Sequence, residues 1–140
     1  MISVKEAVSI HDILIDKFGG AKGLRDKGTL ESALSRPHMT FEKQDLYPTP
    51  VQKAAAILES IVKNHPFIDG NKRTGYVLMR LTLMEAGMDI EANQDDKYEF
   101  VISVSKGELG FDQIKNWIED KTKKNFRHKA AKKSGGKFVI

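Results

Sequence analysis

No cysteine occurs among the 140 residues, which excludes disulfide bonds and thiolate metal sites and fits a reducing cytosolic environment. Long apolar runs are missing too, since the longest is far shorter than the roughly 20 residues that span a bilayer. The N-terminus, MISVKEAVSIHD, has no positively charged segment leading into an apolar one, so no signal peptide is expected. These absences predict a soluble, cytoplasmic protein without a membrane partner.

Acidic residues are missing from one part of the chain. Residues 121–140 contain seven lysines and Arg127 but no acid, whereas residues 1–120 contain 15 basic and 19 acidic residues. We therefore expect a mildly acidic domain over 1–120 and a basic, flexible tail over 121–140. Contact between the tail and nucleic acid is the weaker alternative.

Apolar residues recur at helical spacing through most of the chain, and strand-like alternation is absent. A short hairpin is expected only at Met39–Glu42. The predicted fold is a single all-α domain of about six helices. The helices are expected to follow the capping boxes at Ser3 and Thr49, to run from about Thr29 to Arg36 and from Asn71 to Gly87, and to cover much of 95–107 and 112–124. The helix over 71–87 is apolar nearly all round and should be central.

The loop before this central helix, within NHPFIDGNKRT, is unusually polar. Pro66 disfavours a helical conformation at His65, so the preceding helix should end there. Gly70 allows a sharp turn into the next helix at Asn71. The loop therefore delivers its side chains to a helix N-terminus, where backbone N–H groups and the helix dipole favour an anion.

The residue types in this loop match the needs of phosphoryl or nucleotidyl transfer. Lys72 and Arg73 oppose the helix dipole in the first turn, but beside a bound polyphosphate they become favourable. Asp69 offers the hard oxygen ligand that Mg²⁺ prefers. His65 can accept a proton near neutral pH. The alternative is structural: a satisfied loop histidine, an ordinary Asp-Gly turn and two solvated cations.

The stretch HPFIDGNKRTG resembles the signature of the Fic/Doc family. Lys72 replaces the second glycine of the nucleotide-transferring branch, as in the Doc (death-on-curing) toxin branch. The similarity extends to GLRDKGTLESALSRP and DLYPTPVQKAAAILESI, and so to roughly residues 2–120. The resemblance implies a small helical fold that uses ATP and Mg²⁺.

For the Doc branch, the resemblance implies a toxin of a toxin–antitoxin module. Such a toxin transfers the γ-phosphate of ATP to a threonine of elongation factor Tu, which blocks translation. An antitoxin of the Phd type would silence it.

The resemblance also implies a role for each residue of the motif. His65 would be the catalytic base and Asp69 the metal ligand. Lys72 and Arg73 would neutralise the transferring phosphate and bind it. Gly70 and Asn71 would form part of the phosphate cradle. Lys63 stands where Doc-like toxins can carry a phosphate-binding arginine.

Besides Lys63, two further departures from the family pattern bear on function. Tyr76 occupies the position of the second arginine in the nucleotide-transferring branch, and the self-inhibitory motif is absent because no Glu-Gly or Glu-Asn pair occurs. Control is therefore expected from another chain or another mechanism. Two alternatives remain open: a Fic-type protein AMP transferase and a non-catalytic binding module.

Overall fold

The computed structural model of the chain describes residues 1–125. Six α-helices dominate this part of the chain, which confirms the predicted all-α fold class. They are α1 (Val4–Phe18), α2 (Lys27–Ser35), α3 (Pro50–Asn64), α4 (Asn71–Glu85), α5 (Gln94–Ser105) and α6 (Phe111–Asn125). A two-stranded antiparallel hairpin joins β1 (Thr40–Phe41) to β2 (Gln44–Asp45). Across the described residues, no helix combines the length and the apolar character needed to cross a bilayer.

Both predicted capping boxes are present. The Ser3 hydroxyl accepts from the Glu6 N–H at 3.1 Å, and the Glu6 carboxylate accepts from the Ser3 N–H at 2.8 Å. Thr49 and Gln52 make the same reciprocal pair at 3.1 and 3.0 Å. Each box satisfies two N–H groups that lack a partner within the helix, so α1 and α3 begin where the sequence predicts.

The segment between α1 and α3 differs in detail from the prediction. Helix α2 begins two residues before Thr29, because Asp26 is its N-cap and accepts from the Thr29 N–H at 3.2 Å. It ends at Ser35 and continues as a 3₁₀ turn over Arg36–His38. The predicted hairpin exists but extends to Asp45, with left-handed residues at the turn, Glu42 and Lys43.

Helices α3 and α4 form the centre of the molecule, and the apolar pattern predicts this position for α4. A Cβ added at Gly75 of α4 would lie 2.9 Å from the Val62 Cγ2 of α3, so glycine permits this close packing. Arg80 is a buried exception to the apolar character of α4. Its guanidinium makes two hydrogen bonds to the Asp89 carboxylate, at 2.8 and 2.6 Å, which offset the desolvation of the charge.

Helices α5 and α6 complete the core around α3. The rings of Phe100 and Trp117 stack with centroids 3.8 Å apart and planes 3° apart. Helix α6 continues past residue 120 to Asn125, and Thr122 is buried within it. The helix therefore enters the segment predicted as a tail, and residues 126–140 lie outside the described part of the chain.

Candidate functional site

The loop of residues 65–70 joins α3 to α4 and has a left-handed residue at each end. His65, the C-cap of α3, has φ 52° and ψ 62°, and Gly70, the N-cap of α4, has φ 76° and ψ 19°. A Cβ at Gly70 would lie 3.0 Å from the Ile15 Cδ1 and 3.4 Å from the His11 Nε2. Glycine is therefore required at Gly70 for both the backbone conformation and the space.

The loop between α1 and α2 supports this segment along its backbone. The N–H groups of Arg25 and Asp26 donate to the Pro66 carbonyl at 2.7 and 3.1 Å, and the Ile68 N–H donates to the Gly23 carbonyl at 3.0 Å. These bonds satisfy backbone groups that neither helix can serve. The motif is thus held between two helices and a second loop.

The Arg25 side chain caps the C-terminal end of α3. Its Nε donates to the His65 carbonyl at 2.5 Å and its Nη2 to the Asn64 carbonyl at 2.8 Å. These are carbonyls that a helix end leaves without partners. The sequence does not indicate this role, because Arg25 is 40 residues from His65 and no local pattern marks the contact.

Asn71 braces the loop from inside. Its buried amide accepts from the Phe67 N–H at 2.9 Å and donates to the Phe67 carbonyl at 2.9 Å. The Asn71 Nδ2 also lies 3.5 Å from the His65 Nδ1, at the outer limit of a hydrogen bond. Through this contact the amide helps to orient the imidazole, whose ring is exposed to solvent.

Asp69 presents an exposed carboxylate beside the start of α4. Its Oδ2 accepts from the Ala21 N–H at 3.1 Å and its Oδ1 from the Gly70 N–H at 2.8 Å. These two N–H groups hold the pKa of the Asp69 carboxyl below its usual range, with a smaller contribution from the positive charge of Lys72. The Asp69 carboxylate is therefore ionised at neutral pH, as a carboxylate ligand for a metal ion must be.

No cluster of three or more potential metal ligands occurs in the described part of the chain. One carboxylate is nevertheless enough for Mg²⁺ beside a nucleotide, since this ion takes most of its ligands from phosphate and water. The ionised, exposed Asp69 fits that requirement.

The N-terminus of α4 is open to an anion. Its N-cap, Gly70, makes no side-chain capping bond, unlike the caps of α1 and α3. The first-turn N–H groups of Asn71, Lys72 and Arg73 make no hydrogen bond to another described residue. Together with the helix dipole, free N–H groups of this kind can bind an anion.

Arg73 is held in place by an aromatic ring. Its guanidinium carbon lies 4.2 Å from the centroid of the Phe18 ring, a cation–π contact. Its Nε is buried and has no hydrogen-bond partner among the described residues. Lys72, by contrast, is exposed. One cation is therefore fixed beside the helix start, while the other remains in contact with solvent.

A cavity of about 240 Å³ opens at this helix start. One side consists of residues 69–73, and the other comes from α5. The α5 residues are Gln94, Tyr98, Val101 and Ile102. The sequence does not indicate that these residues belong to the site, because their helical spacing is equally typical of core packing.

The structure brings Asp69, Gly70, Asn71, Lys72 and Arg73 together around this cavity, with His65 adjacent through Asn71. Lys63 is not among the residues that line it. Its Nζ lies 3.1 Å from the Glu59 carboxylate, which also pairs with Arg36 at 2.9 Å.

Tyr76 does not supply a cation or an accessible hydroxyl. It is 1% exposed, and burial raises the pKa of its hydroxyl. The hydroxyl oxygen has no hydrogen-bond partner among residues 1–125. The positive charge of the cavity therefore comes from the first turn of α4 and not from the turn after it.

The fold and the site together define a helical protein with an uncapped helix start beside an exposed histidine and an ionised aspartate. A model of the Fic/DOC family matches residues 1–83, more than half of the chain, so the chain belongs to this family.

Two known proteins are similar in sequence to this chain. Toxin Doc of Mycolicibacterium smegmatis (strain ATCC 700084 / mc(2)155) is 41% identical over 78 residues, which are 56% of this chain and 60% of that protein. Protein kinase doc of Escherichia phage P1 is 26% identical over 116 residues, which are 81% of this chain and 88% of that protein.

Proposed function

We propose that this chain is a Doc-like toxin that transfers the γ-phosphate of ATP to a threonine hydroxyl of a protein target. The proposed target is elongation factor Tu, whose modification would block translation. The observation that carries the proposal is the uncapped α4 N-terminus, with Lys72 and Arg73 in its first turn and Asp69 directly before it. Similarity to proteins named Toxin Doc and Protein kinase doc supports the same conclusion.

The proposed reaction uses the exposed imidazole as a base. The target hydroxyl oxygen forms a bond to the γ-phosphorus, and the bond from that phosphorus to the β–γ bridging oxygen breaks. ADP leaves with the electron pair, and His65 takes the hydroxyl proton. The Asn71 Nδ2 lies beside this imidazole, 3.5 Å from the His65 Nδ1.

Phosphate binding falls to the start of α4. The free N–H groups of Asn71, Lys72 and Arg73 would hold phosphate oxygens, and the two side-chain cations would neutralise their charge. Gly70 keeps the approach clear. Asp69 would hold Mg²⁺, which when bound supplies charge neutralisation between neighbouring phosphates.

Lys72 favours phosphoryl transfer over AMP transfer. A glycine at this position would leave the helix start open to a close backbone approach by phosphate, whereas lysine fills the space and adds charge. We infer that the triphosphate binds with its γ-phosphate towards His65. The buried Tyr76 supports this orientation, because it gives the cavity no second arginine.

Two further parts of the proposal concern contacts around the cavity. The side chains of Tyr98, Val101 and Ile102 offer a partly apolar wall for the rest of the nucleotide. Lys63 remains a proposed phosphate ligand, and it would have to leave its pair with Glu59 to reach one. Inhibition by a Phd-like antitoxin and a cytoplasmic location complete the proposal.

The test is the fate of ATP labelled separately at its α- and γ-phosphates, incubated with the purified chain, Mg²⁺ and elongation factor Tu. We expect the γ-label on the target and release of ADP.

Lys72→Gly should lose this activity. Lys5→Gly is the matched control, because Lys5 is an exposed lysine at the same second position of α1. Transfer of the α-label by the unmodified protein would overturn the kinase assignment in favour of AMP transfer. Absence of both labels would favour a non-catalytic binding module.

A further inference from the structure

His11 is a buried histidine that connects α1 to the motif loop. Its side chain is 1% exposed, and its ring stacks on Phe67 with centroids 3.9 Å apart and planes 4° apart. Helical periodicity alone identifies it as a position on the inner face of α1. The stacking places a polar ring directly against the loop that carries His65 and Asp69.

The hydrogen bond of the His11 ring is with the backbone of Asp69. The His11 Nε2 lies 2.6 Å from the Asp69 carbonyl oxygen, which can only accept, so this nitrogen carries the hydrogen and donates it. The carbonyl precedes the N-cap, and the first bond of α4 is made by the Gly70 carbonyl with Thr74 at 3.0 Å. His11 therefore satisfies the Asp69 carbonyl, which makes no hydrogen bond within α4.

The same ring determines where the turn into α4 lies. A Cβ at Gly70 would be 3.4 Å from the His11 Nε2, so the imidazole is directly beneath the Asp69–Gly70 peptide. The Asp69 carboxylate, in turn, accepts from the N–H groups of Ala21 and Gly70. His11 thus holds the main chain of Asp69, and the Ala21 and Gly70 N–H groups hold its side chain.

We propose that His11 is a positioning residue for the reaction, acting through the Asp69 carbonyl to set the carboxylate and the first turn of α4. This inference rests on the proposed function. His11 is not catalytic itself, because it is buried and cannot contact a nucleotide. A ring that only fills space beside Phe67 would serve stability alone, and the two roles predict different behaviour in substituted proteins.

Two substitutions separate the stacking from the hydrogen bond. His11→Phe keeps an aromatic ring against Phe67 and removes the donor, whereas His11→Gln keeps an amide N–H at similar reach and removes the ring. His38→Phe is the matched control. His38 is exposed beside the N-terminal end of α3, whereas the motif follows its C-terminal end.

The first measurement needs neither metal nor nucleotide. Amide hydrogen exchange by NMR reports on Ala21, whose N–H donates to the Asp69 carboxylate, and on Phe67, whose N–H donates to Asn71. We expect faster exchange at both amides in His11→Phe, exchange closer to wild type in His11→Gln, and no change in His38→Phe.

The second measurement is the rate of γ-phosphate transfer against Mg²⁺ concentration. In His11→Phe we expect kcat to fall on the order of 10- to 100-fold, because small displacements of a positioned group have effects of this size. The Mg²⁺ concentration for half-maximal rate should rise, and His11→Gln should recover part of both losses.

The proposal is overturned if His11→Phe is folded and shows wild-type amide exchange and Mg²⁺ dependence. It is also overturned if both variants lose activity only in proportion to their loss of folded protein. If the wild type transfers no phosphate, the proposed function fails, and the exchange of Ala21 and Phe67 still decides whether His11 positions Asp69.

Discussion

At the scale of single residues, the left-handed conformation of His65 is the feature with the clearest cost. A non-glycine residue at φ 52° is unfavourable, and such residues persist where surrounding contacts hold them, often at functional sites. Here the Arg25 side chain holds the His65 carbonyl, and Asn71 contacts its ring.

We expect His65→Ala and His65→Asn to abolish transfer, because neither side chain can act as the base. Asparagine tolerates the left-handed region better than alanine, so His65→Asn should also keep the wild-type Tm within about 2 °C. The measurements are γ-label transfer and thermal unfolding. Transfer by a well-folded His65→Asn protein would show that another group is the base.

Asp69 carries a prediction about magnesium. We expect Asp69→Asn to lower activity at least about tenfold at limiting Mg²⁺, because the amide keeps the shape but lacks the charge that the ion needs. The measurement is the initial rate across a Mg²⁺ titration, with the exposed Glu108→Gln as a control. An unchanged titration would move the metal ligand to another residue.

The same residue gives a pH dependence of stability. Its pKa is lowered in the folded state, so the ionised carboxylate stabilises the protein above its unfolded-state pKa, and this contribution is lost as the pH falls through the folded-state value. The Tm difference between wild type and Asp69→Asn should therefore be largest near neutral pH and close in acid. A gap of constant size from pH 7 to about pH 3 would contradict this origin.

The residues of the motif could be identified from the sequence because they are consecutive. Asp69 to Arg73 face one cavity as a direct result of a turn followed by a helix start. Arg25 and His11 could not be identified, since their partners lie 40 and 58 residues away. Such contacts depend on how helices pack, which local pattern does not encode.

At the scale of helices and strands, boundaries that depend on contacts within a few residues agree with the prediction, and other boundaries are shifted. The starts of α1 and α3 follow from reciprocal bonds within four residues, and the sequence predicts both. Near α2 the predicted start is about Thr29, whereas the helix begins at Lys27 after its N-cap, Asp26. The hairpin reaches Asp45 because Glu42 and Lys43 both adopt positive φ, which neither residue type indicates in advance.

The contact between α3 and α4 predicts an unusual response to alanine. Gly75→Ala normally stabilises a helix by about 1 kcal/mol. Here the new Cβ would lie 2.9 Å from the Val62 Cγ2 and 3.3 Å from the Ile61 Cγ2, and overpacking costs about 1–3 kcal/mol. We expect a net loss of about 1 kcal/mol, measured by denaturant unfolding.

A double-mutant cycle provides the control. In a Val62→Ala background the obstructing methyl group is absent, so Gly75→Ala should cost less than it does alone, or should stabilise. Equal effects in the two backgrounds would show that the α3–α4 contact does not limit this position.

At the scale of the whole molecule, charge and fold divide the chain at different points. The acidic residues end at Asp120, whereas α6 continues to Asn125. Thr122 is buried and its hydroxyl donates to the Ile118 carbonyl at 2.8 Å, and the Lys121 Nζ lies 5.7 Å from the Trp117 ring centroid. We therefore propose that the Fic/Doc domain, predicted over 1–120, includes the last turn of α6.

Truncation tests this boundary together with the function. A chain of residues 1–125 should keep the wild-type Tm, the γ-phosphate transfer and the inhibition of growth, because it contains every described helix and the whole candidate site. A chain of residues 1–120 should fold less stably by about 1–3 kcal/mol, since it loses the buried Thr122 and the end of α6. Its site is unchanged, so activity per folded molecule should remain.

If instead the folded 1–125 chain neither transfers phosphate nor inhibits growth, the function resides in the basic residues beyond it. That result would favour a binding module whose basic tail contacts an anionic partner such as nucleic acid.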